Sequence, residues 1–226
     1  LPERATDPNA MPTLAQVLPF LLTAILLTAI LLTATPGPDN LMVLSVGASR
    51  GRRLGMAFGL GCATGCLSHT VLAALGVSAV LAASPVAFTA LRWLGGAYLV
   101  WLGINALRSR GGLGLPAESG APAAADSAAR QFFKGMLANA INPKVVLFFL
   151  SFLPQFVVPA NGNVPLQMAM LGVVFTLQAA VLFGALGWFA GGIGQWLQRR
   201  PRAGLWLDRV SGVVFVGLGL RMALSR

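Results

Sequence analysis

The chain has 226 residues, of which 56% are hydrophobic and 10% charged, and a formal net charge of +10. Soluble domains carry about 25% charged residues, so the composition excludes an ordinary soluble domain and leaves a polytopic helical membrane protein. The basic residues cluster between apolar runs, as loop charges beside a membrane do. They form no single arm or face, which argues against nucleic-acid binding.

Residues 1–12 read as an N-terminal extension, with Met11 just ahead of the first apolar run. That run lacks a basic leading segment, so it reads as a retained helix rather than a cleaved signal. Span 1 covers about residues 14–48 and has no charge between Asp7 and Asp39. At about 1.5 Å per residue it is too long for one straight crossing. The stretch Thr35-Pro36-Gly37-Pro38-Asp39-Asn40 resolves this by breaking it, because proline lacks the N–H donor and clashes with the preceding turn. Broken backbone and a carboxylate inside an apolar segment are both costly, and both persist where they line a cavity or pathway. The five-residue repeat at 21–35 puts Thr23, Thr28 and Thr33 around the helix rather than on one face, and it reads as sequence duplication.

Span 2 covers about 54–83. Gly51, Gly55, Gly59 and Ala63 recur every fourth residue, which lets helix backbones approach closely. Pro85 reads as the end of the outer turn. Span 3 covers about 86–107, with Trp93, Tyr98 and Trp101 as interface anchors or packing residues. Residues 111–130 are rich in Gly, Ala, Pro and Ser and read as a flexible cytoplasmic loop. Span 4 covers about 132–156 and carries Asn139, Asn142, Pro143 and Lys144. Span 5 covers about 166–197. Span 6, about 205–224, is short between Arg209 and Arg221, so both would snorkel.

Basic residues crowd the loops after spans 1, 3 and 5, which the positive-inside tendency puts in the cytoplasm, with both termini outside. Arg92 and Arg221 oppose this mildly. Three spans per half make the halves 13–110 and 131–226 inverted relative to each other. Laying Gly96 on Gly212 also pairs Leu91 with Leu207, Val100 with Val216, Leu102 with Leu218 and Gly103 with Gly219. The break at Pro38-Asp39 has Pro143-Lys144 as its counterpart. Proline is accepted at the first position of a helix and Asn142 is a good N-cap, so each break starts a new half-helix. The expected fold is therefore all-α, with six transmembrane helices in two inverted three-helix repeats, spans 1 and 4 being broken at proline. Transporters built this way aim half-helix termini at the substrate.

At these residues the chain resembles the LysE/RhtB family of amino-acid exporters. The matching stretches are Thr35–Asp39, the glycine-rich run to His69, Leu94–Gly103, Asn139–Lys144 and Phe152–Phe156, which together cover about residues 13–224. The resemblance implies a multi-pass exporter of the bacterial inner membrane that moves amino acids or their derivatives, driven by protons or ions and using no cofactor. Two positions depart from the pattern. Some relatives carry an acid in span 5, where Leu177-Gln178-Ala179 stands here, and some carry one where Cys66 stands. A scheme needing a second membrane carboxylate, or a strongly cationic substrate, loses support.

Each candidate has two readings. Asp39 either caps the second half-helix, where the dipole favours a negative charge, or binds a substrate ammonium or the coupled proton. Lys144 either pairs with Asp39 or receives a substrate carboxylate, and a zwitterion entering between them satisfies both. His69, the only histidine, is a proton relay or a hydrogen-bonded packing residue. Asn40, Asn139 and Asn142 contact substrate or satisfy unwound backbone, and Gln178 is a weaker lining candidate. Pro36, Gly37, Pro38 and Pro143 make the breaks. Cys62 and Cys66 lack a Cys-x-x-Cys motif or a ligand set, so small buried thiols are expected and no metal site.

The expected function is secondary export of small amino acids such as homoserine, threonine or homoserine lactone, with no covalent chemistry. The alternatives are heavy-metal cation export, which wants more midmembrane acids or His/Cys ligands, and thiol electron transfer, which wants a cysteine near each break. The glycine faces permit a homodimer without requiring one.

Overall fold

The computed structural model describes residues 24–35, 37–77, 79–80, 84–109, 127–157, 160 and 162–224, and no strand occurs among them. The helices are α1 (Ala24–Ala34), α2 (Pro38–Arg50), α3 (Arg52–Leu72, continued by a π-helical turn Ala73–Val77), α4 (Pro85–Arg108), α5 (Ala128–Ala140), α6 (Pro143–Ser151), α7 (Val164–Arg199) and α8 (Pro201–Leu224). A 3₁₀ turn, Leu153–Phe156, follows α6.

Local chemistry sets the starts. A helix leaves its first N–H groups without intrahelical partners, and a Ser or Asn side chain ahead of the first turn accepts from one of them. Ser84 accepts from the Ala87 N–H at 3.2 Å, Ser127 from Arg130 at 3.1 Å, Asn142 from Lys144 at 3.0 Å and Asn163 from Leu166 at 3.1 Å. Proline follows Ser84 and Asn142 directly, where its missing N–H costs nothing. Pro85 therefore opens α4 rather than closing the preceding turn. Ser127 likewise starts α5 a few residues before the expected boundary at 131. The turn from α2 to α3 is the single residue Gly51, whose φ of 90° strains a side chain-bearing residue.

The helices pack through glycine. A Cβ on Gly187 of α7 would lie 2.4 Å from the Gly55 backbone of α3, and one on Gly61 of α3 would lie 2.0 Å from the Phe132 carbonyl of α5. α3 is the centre of the bundle, with 61% of its apolar window buried, against 22–28% for α4, α7 and α8. Those three helices carry the exposed Trp93, Trp101, Val181, Phe189 and Val213 outward. A second seam joins α4 and α8. A Cβ on Gly103 would lie 2.7 Å from the Gly212 carbonyl, and one on Gly219 would lie 2.6 Å from the Gly96 carbonyl.

These contacts fix directions. Gly55 meets Gly187 while Gly172 meets Thr70, so α3 and α7 are antiparallel. Gly61 meets Phe132 and Gly65 meets Met136, so α3 and α5 run parallel. Arg50, Arg52, Arg53, Arg130, Lys134, Arg199, Arg200 and Arg202 thereby gather at one end of the bundle. There the Arg52 guanidinium lies 4.4 Å from the Trp188 ring. The α4–α8 pair has the same sense, because Ser109 donates to Asp208 at 2.5 Å. Arg92 and Arg221 lie toward the other end.

Four helices are long and apolar enough to cross a membrane, namely 52–76, 86–108, 164–197 and 202–224. The pair α5 and α6, bent by 55° at Ile141-Asn142, supplies a fifth crossing if it is one span. The expected first span contains α1 and α2, but its entry at residues 14–23 lies outside the described residues, as do the central loop at 111–126 and Pro36.

Candidate functional site

In an α-helix the N–H of each residue bonds the carbonyl four residues earlier. Proline has no such N–H, so Pro36 cannot serve the Leu32 carbonyl and Pro143 cannot serve that of Asn139. A buried carbonyl without a donor is costly, and another side chain must supply one. The Lys144 ammonium, from the first turn of α6, donates to the Leu32 carbonyl at 2.8 Å and to that of Thr35 at 3.2 Å. The Asn139 carbonyl takes the Asn142 N–H at 2.9 Å, and His69 of α3 adds a second donor at 3.0 Å, so its Nε2 carries the donated proton. Asn40 crosses the first break and donates to the Thr33 carbonyl at 2.6 Å. Each break is thus closed by polar side chains.

Asp39 sits in the first turn of α2 and is only 3% exposed. Its Oδ2 accepts from Asn139 Nδ2 at 2.7 Å, a bond that ties α2 to the end of α5. Its Oδ1 is buried and has no hydrogen-bond partner among the described residues. Cys66 Sγ lies 3.6 Å from Asn139 Oδ1, which holds the Asn139 amide from its other end. Lys144 does not donate to Asp39; both face one cavity from different walls.

That cavity is about 20 Å³, room for roughly one water molecule. Asp39, Asn40, Asn139, Asn142 and Lys144 line it together with Gly37. His69 and Gln178 stand one layer back. Gln178 Nε2 donates to Thr33 Oγ1 at 3.0 Å, and its buried Oε1 has no partner among the described residues. Thr33, Cys66, Phe175 and Phe183 complete the wall; in the sequence Thr33 reads as duplication and Cys66 as a buried thiol, and nothing singles out the two phenylalanines. The step from a proline to the carbonyl four residues before it was the available signal for Leu32 and Asn139.

Chemically the cavity offers one uncommitted carboxylate oxygen and one ammonium, with an apolar wall from Leu32, Val145, Phe175 and Phe183. No cluster of three or more His, Cys, Asp or Glu that could hold a metal ion occurs among the described residues.

The model of the LysE type translocator family matches residues 30–226. This chain belongs to that family. The translocator is 30% identical to a homoserine/homoserine lactone efflux protein of Salmonella typhimurium, over 92% of this chain and 95% of the relative. It is 31% identical to a threonine efflux protein of Escherichia coli K12, over 85% and 92% of the two chains. A membrane protein of Vibrio cholerae is 33% identical over 92% and 97%. No solved structure matches. The translocator is a multi-pass protein of the bacterial inner membrane.

Proposed function

We propose that this translocator is a secondary active exporter of small neutral amino acids, binding the zwitterion between Asp39 and Lys144. The observation that carries this reading is the buried Asp39 Oδ1, which has no hydrogen-bond partner among the described residues and belongs to a residue that lines the same cavity as Lys144. An α-ammonium satisfies the carboxylate oxygen, and an α-carboxylate takes the lysine donor left over from the two carbonyl bonds. Relatives named for homoserine, threonine and leucine efflux support a small, uncharged side chain. Phe175 and Phe183 would receive its apolar part, and Thr33 with Gln178 a hydroxyl.

The cavity is far smaller than an amino acid, so binding requires the walls to part. We propose six spans in two inverted repeats that rock against each other around the two breaks, coupled to protons, with both termini outside. The α4–α8 seam supports the repeat. Aligning the halves in sequence lays Gly96 on Gly212 and Gly103 on Gly219. The observed contacts, Gly96 with Gly219 and Gly103 with Gly212, are interchanged by that operation, as a twofold relation requires.

The test is uptake of a labelled amino-acid panel by everted vesicles, with and without an imposed proton gradient, for the wild type and Asp39→Asn. Gradient-driven uptake of one substrate group, lost in Asp39→Asn while the protein still inserts, is the expected result. A well-inserted wild type that takes up no amino acid overturns the reading, and the same vesicles are then given divalent metals.

A further inference from the structure

The last carbonyls of a helix have no intrahelical donors and carry the negative end of its dipole. At the end of α1 two of them, Leu32 and Thr35, converge on a single positive charge, the Lys144 ammonium, at 2.8 and 3.2 Å. The Phe215 ring lies 5.7 Å from the same nitrogen, close enough for a cation–π contact. The Asp39 carboxylate adds negative charge across the cavity, with Oδ1 unpartnered. Converging backbone carbonyls, an aromatic face and a carboxylate make a monovalent-cation site, the kind that broken transporter helices offer to sodium. Here the cation is tethered to α6.

We propose that the Leu32 and Thr35 carbonyls, with Asp39, form a monovalent-cation site and that Lys144 is its permanent occupant, so the translocator binds no free sodium or potassium there. The ammonium links the α1 carboxyl end to the cavity, the task a free ion performs in sodium-coupled carriers. Resting on the exporter reading, this removes sodium as the coupling ion at this site. The groups left to carry a proton are Asp39 of α2 at the cavity and His69 of α3 behind Asn139.

The experiment is thermal unfolding of the purified protein in detergent, in sodium, potassium or choline chloride at equal ionic strength. The wild type is expected to melt at one Tm in all three. Lys144→Ala, which removes the tethered cation, is expected to gain a saturable rise of about 2–4 °C in sodium or potassium over choline. Lys144→Gln, whose neutral amide still donates to the carbonyls, is expected to show no rise. Saturable stabilisation of the wild type by sodium overturns the proposal, as does a folded Lys144→Ala indifferent to every cation. A Lys144→Ala that misfolds in all salts while Lys144→Gln folds also overturns it, since the carbonyls would then need donors rather than charge. These readings require no substrate, so failure of amino-acid uptake sinks the exporter reading and leaves this test standing.

Discussion

The two breaks and the α4–α8 seam solve the same problem by opposite means. Apolar helices in a lipid environment gain little from burying more apolar surface against one another, so something else must hold them. In the seam it is backbone proximity: Gly96, Gly103, Gly212 and Gly219 bring two helices together with no polar side chain at those positions. At the breaks it is directional bonding: Lys144 serves the Leu32 carbonyl that Pro36 cannot, His69 adds to the Asn139 carbonyl, Asn40 holds the Thr33 carbonyl and Asn139 the Asp39 carboxylate. A seam of this kind resists sliding at every turn. A set of replaceable hydrogen bonds can be exchanged one for another, which suits the region proposed to open.

If that division is right, variants in the two regions fail in different ways. Asp39→Asn keeps a partner for the Asn139 amide but removes the charge. It should insert normally and lose about 10–100-fold in gradient-driven uptake, the cost of a charged hydrogen bond. Gly103→Leu should do the reverse: its side chain meets the Gly212 carbonyl, and the yield of monodisperse protein after detergent extraction should fall about tenfold. Recovery of uptake per folded molecule in that variant would sharpen the contrast, and a specific transport defect would break it. Asn139→Ala strands Asp39 Oδ2 and should lower uptake about tenfold while extraction yield changes little. Gln178→Leu loses one bond to Thr33 and should change the preference between hydroxylated and aliphatic substrates by about 2–5-fold, read from competition in the same vesicles.

The breaks were legible in the sequence because a missing N–H is a covalent fact. Pro36, Pro38 and Pro143 declare themselves without any knowledge of the fold, and so does the N-cap Asn142. Asp39, Asn40, Asn139 and Lys144 were legible as costly groups inside apolar runs, and they meet at one cavity. What each of them touches was not legible. That Lys144 reaches back to α1 rather than to Asp39 depends on how α6 tilts after the 55° bend, which no local pattern encodes. Thr33 looked like one of three equivalent repeat threonines, and only tertiary placement separates it from the others. Glycines at every fourth residue marked the close-packing face of α3. Their partners, Gly187 and Phe132, became visible only with the direction of α7 and α5. Pro85 was misread as a terminator because a proline after a turn and a proline opening a helix look alike until Ser84 is seen capping the Ala87 N–H.

The junction between α7 and α8 is one residue, Arg200. The two arms belong to different neighbourhoods, since α7 lies along α3 and α8 along α4. A joint that short contains no slack. A tilt of α7 at the basic end of the bundle would drag α8 with it, and the glycine seam would hand the pull on to α4. The α4–α8 pair and the buried centre are therefore coupled through a single residue, and a movement of one would reach the other as through a lever, with no loop to absorb it.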